Sequence, residues 1–75
     1  MRFRLSDAEA VKDLVRFFRR RDYLAVEAEP GVVEVVPIDA VSEVAGRART
    51  LLDLKAWKAE HPDVTIEPVN GPVPL

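Results

Sequence analysis

The chain predicts a two-layer α+β sandwich: element order βαββαβ, one antiparallel sheet, and two helices covering one of its faces. Three observations predict it. Alternating apolar and polar residues, the pattern of a half-buried strand, run through Arg2–Leu5, Tyr23–Ala28, Val32–Pro37 and Val64–Val69. A helical rhythm fills the stretch from Ser6 to Arg21, and a second one ends near His61. Right-handed crossovers then order the strands 4-1-3-2.

The first helix carries the clearest start signal. Ser6-Asp7-Ala8-Glu9 fits a capping box, with the serine oxygen accepting an N–H of the first turn and the glutamate reaching back. Val11, Leu14, Val15 and Phe18 recur at i, i+3, i+4 and i+7 and form one buried stripe, flanked by Phe17. Asp7 and Glu9 stand at the start and Arg19, Arg20 and Arg21 at the end, as the helix dipole favours.

The next two strands form a hairpin. Pairing Val26 with Val35 and Ala28 with Val33 puts Leu24, Val26, Ala28, Val33 and Val35 on the core face. A slip of one residue sets Glu34 among the valines and is disfavoured on that ground. Pro30-Gly31 suits a type I or II turn, so the expected loop is wider than two residues.

The second helix has Asp39 or Ser42 as its cap, and Gly46 marks either a kink or the true start. Val44, Ala48, Leu51, Leu52 and Ala59 share a face that reads as its core side, with the stem of Lys55 along it. His61-Pro62 closes the helix, because the residue before proline avoids helical angles. Val64 and Ile66 then point inward, and Thr65 and Glu67 outward. Residues 1–69 read as one domain and 70–75, rich in proline and turn residues, as a loose tail.

Seventy-five residues stand near the lower limit for a fold held by one core without staples. There is no cysteine, which excludes disulfides, thiolate metal sites and thiol chemistry. An apolar share of 48% argues against disorder, and a net charge of −2 gives no global attraction to nucleic acid or anionic membrane. No stretch approaches the roughly 20 apolar residues of a membrane helix. The expectation is a cytoplasmic protein that does not act at a membrane.

The element order resembles the ferredoxin-like superfold, which hosts many unrelated functions and so implies an architecture and no reaction. The chemical marks of families on that scaffold are missing. Heavy-metal-associated domains use two cysteines. Acylphosphatases need a glycine-rich phosphate loop after the first strand, and ACT domains usually place a glycine at that turn; Leu5-Ser6-Asp7 stands there instead. RNA-recognition motifs stack bases on central-strand aromatics, where this chain has charge and valine.

No serine, histidine and acid share a catalytic spacing, and no phosphate loop or metal-ligand spacing occurs. The sequence therefore predicts a non-catalytic chain without cofactor or metal. His61 reads as a helix-end residue facing the last carbonyls. On the outward sheet face, Arg2 and Arg4 stand between strands bearing Glu34 and Glu67, with Glu27 opposite Glu34; this reads as a solvated ladder of ion pairs.

Two surfaces remain as candidates. Arg16, Arg19, Arg20 and Arg21 cluster at the end of the first helix and could contact nucleic acid or another anion. The Tyr23–Ala28 strand is an outer strand that no proline blocks, whereas Pro68 guards the other outer strand. Tyr23, Ala25, Val36 and Ile38 are expected to form an apolar patch beside it, with Glu27 at the edge. Trp57, nearly opposite the apolar stripe of its helix, is either an interface anchor or a ring buried by rotation of the helix. The expected function is self-association of a small interaction module as a homodimer. A nucleic-acid accessory role and a small-ligand sensor are the alternatives.

Overall fold

The structure is a computed structural model and describes residues 1–38 and 42–69. Its elements are β1 (Arg2–Leu5), α1 (Ala10–Arg19), β2 (Tyr23–Glu29), β3 (Val32–Pro37), α2 (Glu43–Glu60) and β4 (Ile66–Val69). The four strands form one antiparallel sheet in the order β2-β3-β1-β4, the expected order counted from the other edge. This is the ferredoxin-like arrangement. The readings of Asp39 as a cap and of residues 70–75 as a tail lie outside the described residues.

α1 keeps its expected stripe. Val11, Leu14 and Phe18 are buried against Phe3, Val33 and Val35, with Val15 and Phe17 packed at the margin. Its start differs. The helix begins at Ala10, and Glu9 in the cap position makes no side-chain cap bond. Ser6 is occupied elsewhere: its N–H donates to the Thr65 carbonyl and its Oγ accepts the Thr65 N–H at 2.8 Å. The hydroxyl thus extends the β1–β4 ladder by one residue, so no capping box forms.

The hairpin adopts the register that the sequence disfavours. Ala25 pairs with Val35, Val26 with Glu34, Leu24 with Val36 and Tyr23 with Pro37. Tyr23 and Ala25 are therefore buried, while Leu24, Val26 and Ala28 are exposed. Two polar contacts remove the objection to this register. Glu34 lies on the open face, where Arg2 Nε donates to it at 2.9 Å, and the guanidinium holds the Glu34 carboxyl below its ordinary range. Tyr23 brings a large ring edge-on to Phe18 in the core, and its hydroxyl donates to Asp53 at 2.7 Å. Glu27 faces Val33 and not Glu34. The connection is two residues long, with Gly31 at φ 80°, as position i+2 of a type II turn requires after proline. A bulge between Glu27 and Glu29 absorbs the mismatch in twist.

α2 is the larger correction. Ser42 caps it, accepting the Ala45 N–H at 3.1 Å, and the helix runs unbroken through Gly46. Its buried residues are Gly46, Thr50 and Trp57, not the aliphatic stripe. Val44, Leu51 and Leu52 are exposed, as are Ala48 and Ala59. One large ring decides the rotation. Trp57 is 1% exposed and joins the main core cluster, and Gly46, three turns earlier on the same face, is buried as well. Polar partners finish that face. Thr50 Oγ1 donates to the Gly46 carbonyl, and Trp57 Nε1 donates to Asp13 of α1 at 2.8 Å.

Candidate functional site

Each surface that the sequence singles out can now be placed. Of the interface candidates, Tyr23, Ala25 and Trp57 belong to the core and are unavailable to a partner. Val36 is exposed on the open sheet face, next to Leu24, Val26 and the adjoining Ile38. Glu27 is exposed at the β2 margin beside α1, where its carboxylate accepts the Gly31 N–H. The open-face patch is differently composed: Leu24 and Val26 replace Tyr23 and Ala25 beside Val36 and Ile38. Its neighbours on that face include Arg2, Arg4, Glu34 and Glu67, with Arg4 and Glu67 cross-strand partners.

The arginine cluster is divided: Arg19 turns to β2, and the other three stay together. Arg19 Nε donates to the Ala25 carbonyl at 3.0 Å. Arg21 pairs with Asp53 at 3.2 Å and lies over the Phe17 ring. Arg16, Arg20 and Arg21 line a cleft between the helices together with Asp13, Phe17, Trp57 and Glu60, so three guanidinium groups stand beside two carboxylates. An anion there meets a mixed surface with a small cationic excess, on which Arg21 is already paired with Asp53.

The Arg19 contact also changes the β2 edge. Met1 and Val35 exchange both backbone hydrogen bonds, so odd positions of β3 face β1 and even positions face β2. By the hairpin register, the odd positions of β2 before the bulge direct their backbone groups away from the sheet. The Ala25 carbonyl is one of these outward groups, and Arg19 covers it. Side-chain capping of an outer strand occupies an acceptor that a second strand would need.

Two polar clusters tie α2 to the rest. Around Asp53, the Tyr23 hydroxyl and the Arg21 guanidinium donate to opposite carboxylate oxygens, and Arg49 stacks on the Tyr23 ring and donates to the Arg21 carbonyl. Burial and then the hydrogen bond to Asp53 raise the Tyr23 phenol above its ordinary range. A raised phenol contributes stability fully below its unfolded value, about 10, and loses it as pH rises through the folded value. Tyr23→Phe is expected to cost about 1–3 kcal/mol at neutral pH and to flatten the alkaline decline. Urea titrations at neutral and alkaline pH read both effects; an unchanged alkaline slope would contradict the assignment.

The second cluster joins α1 to the end of α2. His61 stacks on Trp57 with ring centroids 4.0 Å apart. Its Nδ1 faces the Trp57 carbonyl at 2.9 Å and its Nε2 faces Asp13 at 3.2 Å. A neutral ring can donate to one of these oxygens at a time, and an imidazolium to both. The histidine thus does bond a late carbonyl of its helix, but it also clasps α1.

The surface that sequence reasoning missed is the outward side of α2. Val44, Leu51 and Leu52 protrude there beside an open apolar groove of about 740 Å³. Leu51 and Leu54 from the helix and Met1, Phe3, Ile66 and Pro68 from the sheet line it. The missed signal was Trp57 itself: once this ring is given to the core, the aliphatic stripe on the opposite side must face out. Among the described residues no group of three acidic or histidine side chains could hold a metal ion, and no helix is long and apolar enough to cross a membrane. Compared with protein-family models, curated proteins and solved structures, the chain finds a match in none of them.

Proposed function

We propose that this chain is a small, non-catalytic protein-interaction module that associates with itself. One observation carries the reading: its large exposed aliphatic side chains are grouped, not scattered. Leu24, Val26 and Val36 share the open sheet face, and Val44, Leu51 and Leu52 share the outward side of α2, where Val44 is 81% exposed and Leu52 69%. Single exposed aliphatics are ordinary on a monomer, whereas contiguous patches mark contact surfaces. A chain of 75 residues without cysteine also gains most from covering such surfaces with a partner. The cytoplasm is the proposed setting, since no disulfide is needed to hold the fold.

The test is mass in solution. Light scattering or sedimentation over a concentration series reaching about 100 µM, well above ordinary interface affinities, is expected to show a concentration-dependent dimer. A monomer throughout that range would overturn the reading.

A further inference from the structure

We propose that the dimer forms through α2, with the helices of two copies crossing antiparallel at Leu51. This rests on the self-association reading above and names its surface and its geometry. Of the two apolar patches, the one on the sheet adjoins an edge whose Ala25 carbonyl is already taken by Arg19. The α2 face has no such obstruction. It also holds both halves of a self-complementary contact. Leu52 and Val44 project from the helix, and the groove toward β1 and β4 lies along the same face. A two-fold contact needs one patch that fits itself, and projections beside a recess satisfy that requirement. Ala48, one turn before Leu52, leaves room for a second helix to approach.

Charge favours the antiparallel orientation over the parallel one. Glu43 stands at the start of α2, and Lys55 and Lys58 stand near its end, on the groove side. In an antiparallel pair centred on Leu51, each residue meets the one equally far beyond Leu51 in the second copy. Val44, seven residues before, comes over the stem of Lys58, seven residues after, and Glu43 comes within reach of its ammonium. Arg47, four before, comes opposite Lys55, four after, and this like-charge contact is screened by solvent and offset by Glu43, which pairs with Arg47 of its own helix at 3.4 Å. Lys58 Nζ already donates to the Pro62 and Val64 carbonyls, and an ammonium has three donors, so one remains for the incoming carboxylate. The two helix dipoles also oppose. A parallel pair would set Glu43 on Glu43 and the lysines on lysines.

The absence of native cysteine makes the test direct. Leu51, at the two-fold axis, is the α2 residue that meets its own copy, so Leu51→Cys is expected to form a disulfide-linked dimer under mild oxidation. Its rate should exceed that of Val26→Cys, on the sheet patch, by at least about 10-fold, because a disulfide closes only when the Cα atoms lie within about 7 Å. Both positions are exposed, and unchanged circular dichroism checks the fold of each variant. Cross-linking at position 26 in place of 51 would overturn the α2 geometry and leave self-association standing. A dimeric mass with no cross-link at either position would do the same and point to another surface. A monomeric mass with neither cross-link would remove both.

Discussion

Trp57→Ala is expected to cost about 3–5 kcal/mol, the range for deleting a large buried aromatic side chain. A domain of 75 residues commonly has about 4–11 kcal/mol in all, at roughly 0.05–0.15 per residue. The variant should therefore lose from about a quarter to all of the stability of the domain. The loss has three parts. A ring that is 1% exposed leaves a cavity between α1, α2 and β3. Asp13 loses the indole N–H that donates to it at 2.8 Å. His61 loses the surface on which it stacks and is left to hold α1 to α2 through its own contact with Asp13. Trp57→Phe separates the first part from the second: it retains much of the volume and gives up the hydrogen bond, for about 1–3 kcal/mol. Urea titration followed by far-ultraviolet circular dichroism reads both variants without relying on the lost fluorophore.

Substitutions on the outward side of α2 should behave in the opposite way. Leu52→Ala, at a position 69% exposed, is expected to change the stability of the dilute monomer by no more than about 0.5 kcal/mol. Were the aliphatic stripe the core side of the helix, the same change would cost about 2–5 kcal/mol. Its effect should instead fall on association. At concentrations where the chain is dimeric, Leu52→Ala lowers the apparent stability by the binding energy it removes, so the midpoint of unfolding becomes less dependent on protein concentration. A charged replacement, Leu52→Glu, should abolish the dimer while leaving the dilute monomer folded.

Much of the fold was legible because strand and helix periods differ and each apolar segment is short. Alternation at Arg2–Leu5 and Val32–Pro37, the stripe of α1 and the proline after His61 fix the element order, and the crossover rule then fixes the strand order. What misled was the assumption that the more aliphatic face is the buried one. In α2 the core takes Gly46, Thr50 and Trp57: the indole is the largest single apolar side chain of the helix, and Asp13 and Asp53 supply partners for polar groups beneath it. In the hairpin, Glu34 was treated as a lone charge among valines, yet Arg2 on the neighbouring strand sits beside it. Both differences have one source: a polar residue whose partner comes from a distant part of the chain. Ser6 is a third instance, since its partner Thr65 is 59 residues away.

The candidate surface was legible only in kind. An outer β2 strand and an apolar patch beside it were foreseen, but the register exchanged Tyr23 and Ala25 for Leu24 and Val26 as the exposed members. The α2 surface could not be read at all while its residues were assigned to the interior.

The central claim is that α2 turns Trp57 inward and its leucines outward, and one comparison tests it most directly. Urea unfolding of Trp57→Ala and Leu52→Ala should be followed side by side in dilute monomer. The expected result is that Trp57→Ala loses about 3–5 kcal/mol and that Leu52→Ala unfolds with the parent chain. If the two exchange places, with Leu52→Ala strongly destabilised and Trp57→Ala nearly unaffected, the helix faces the other way and the proposed surface does not exist.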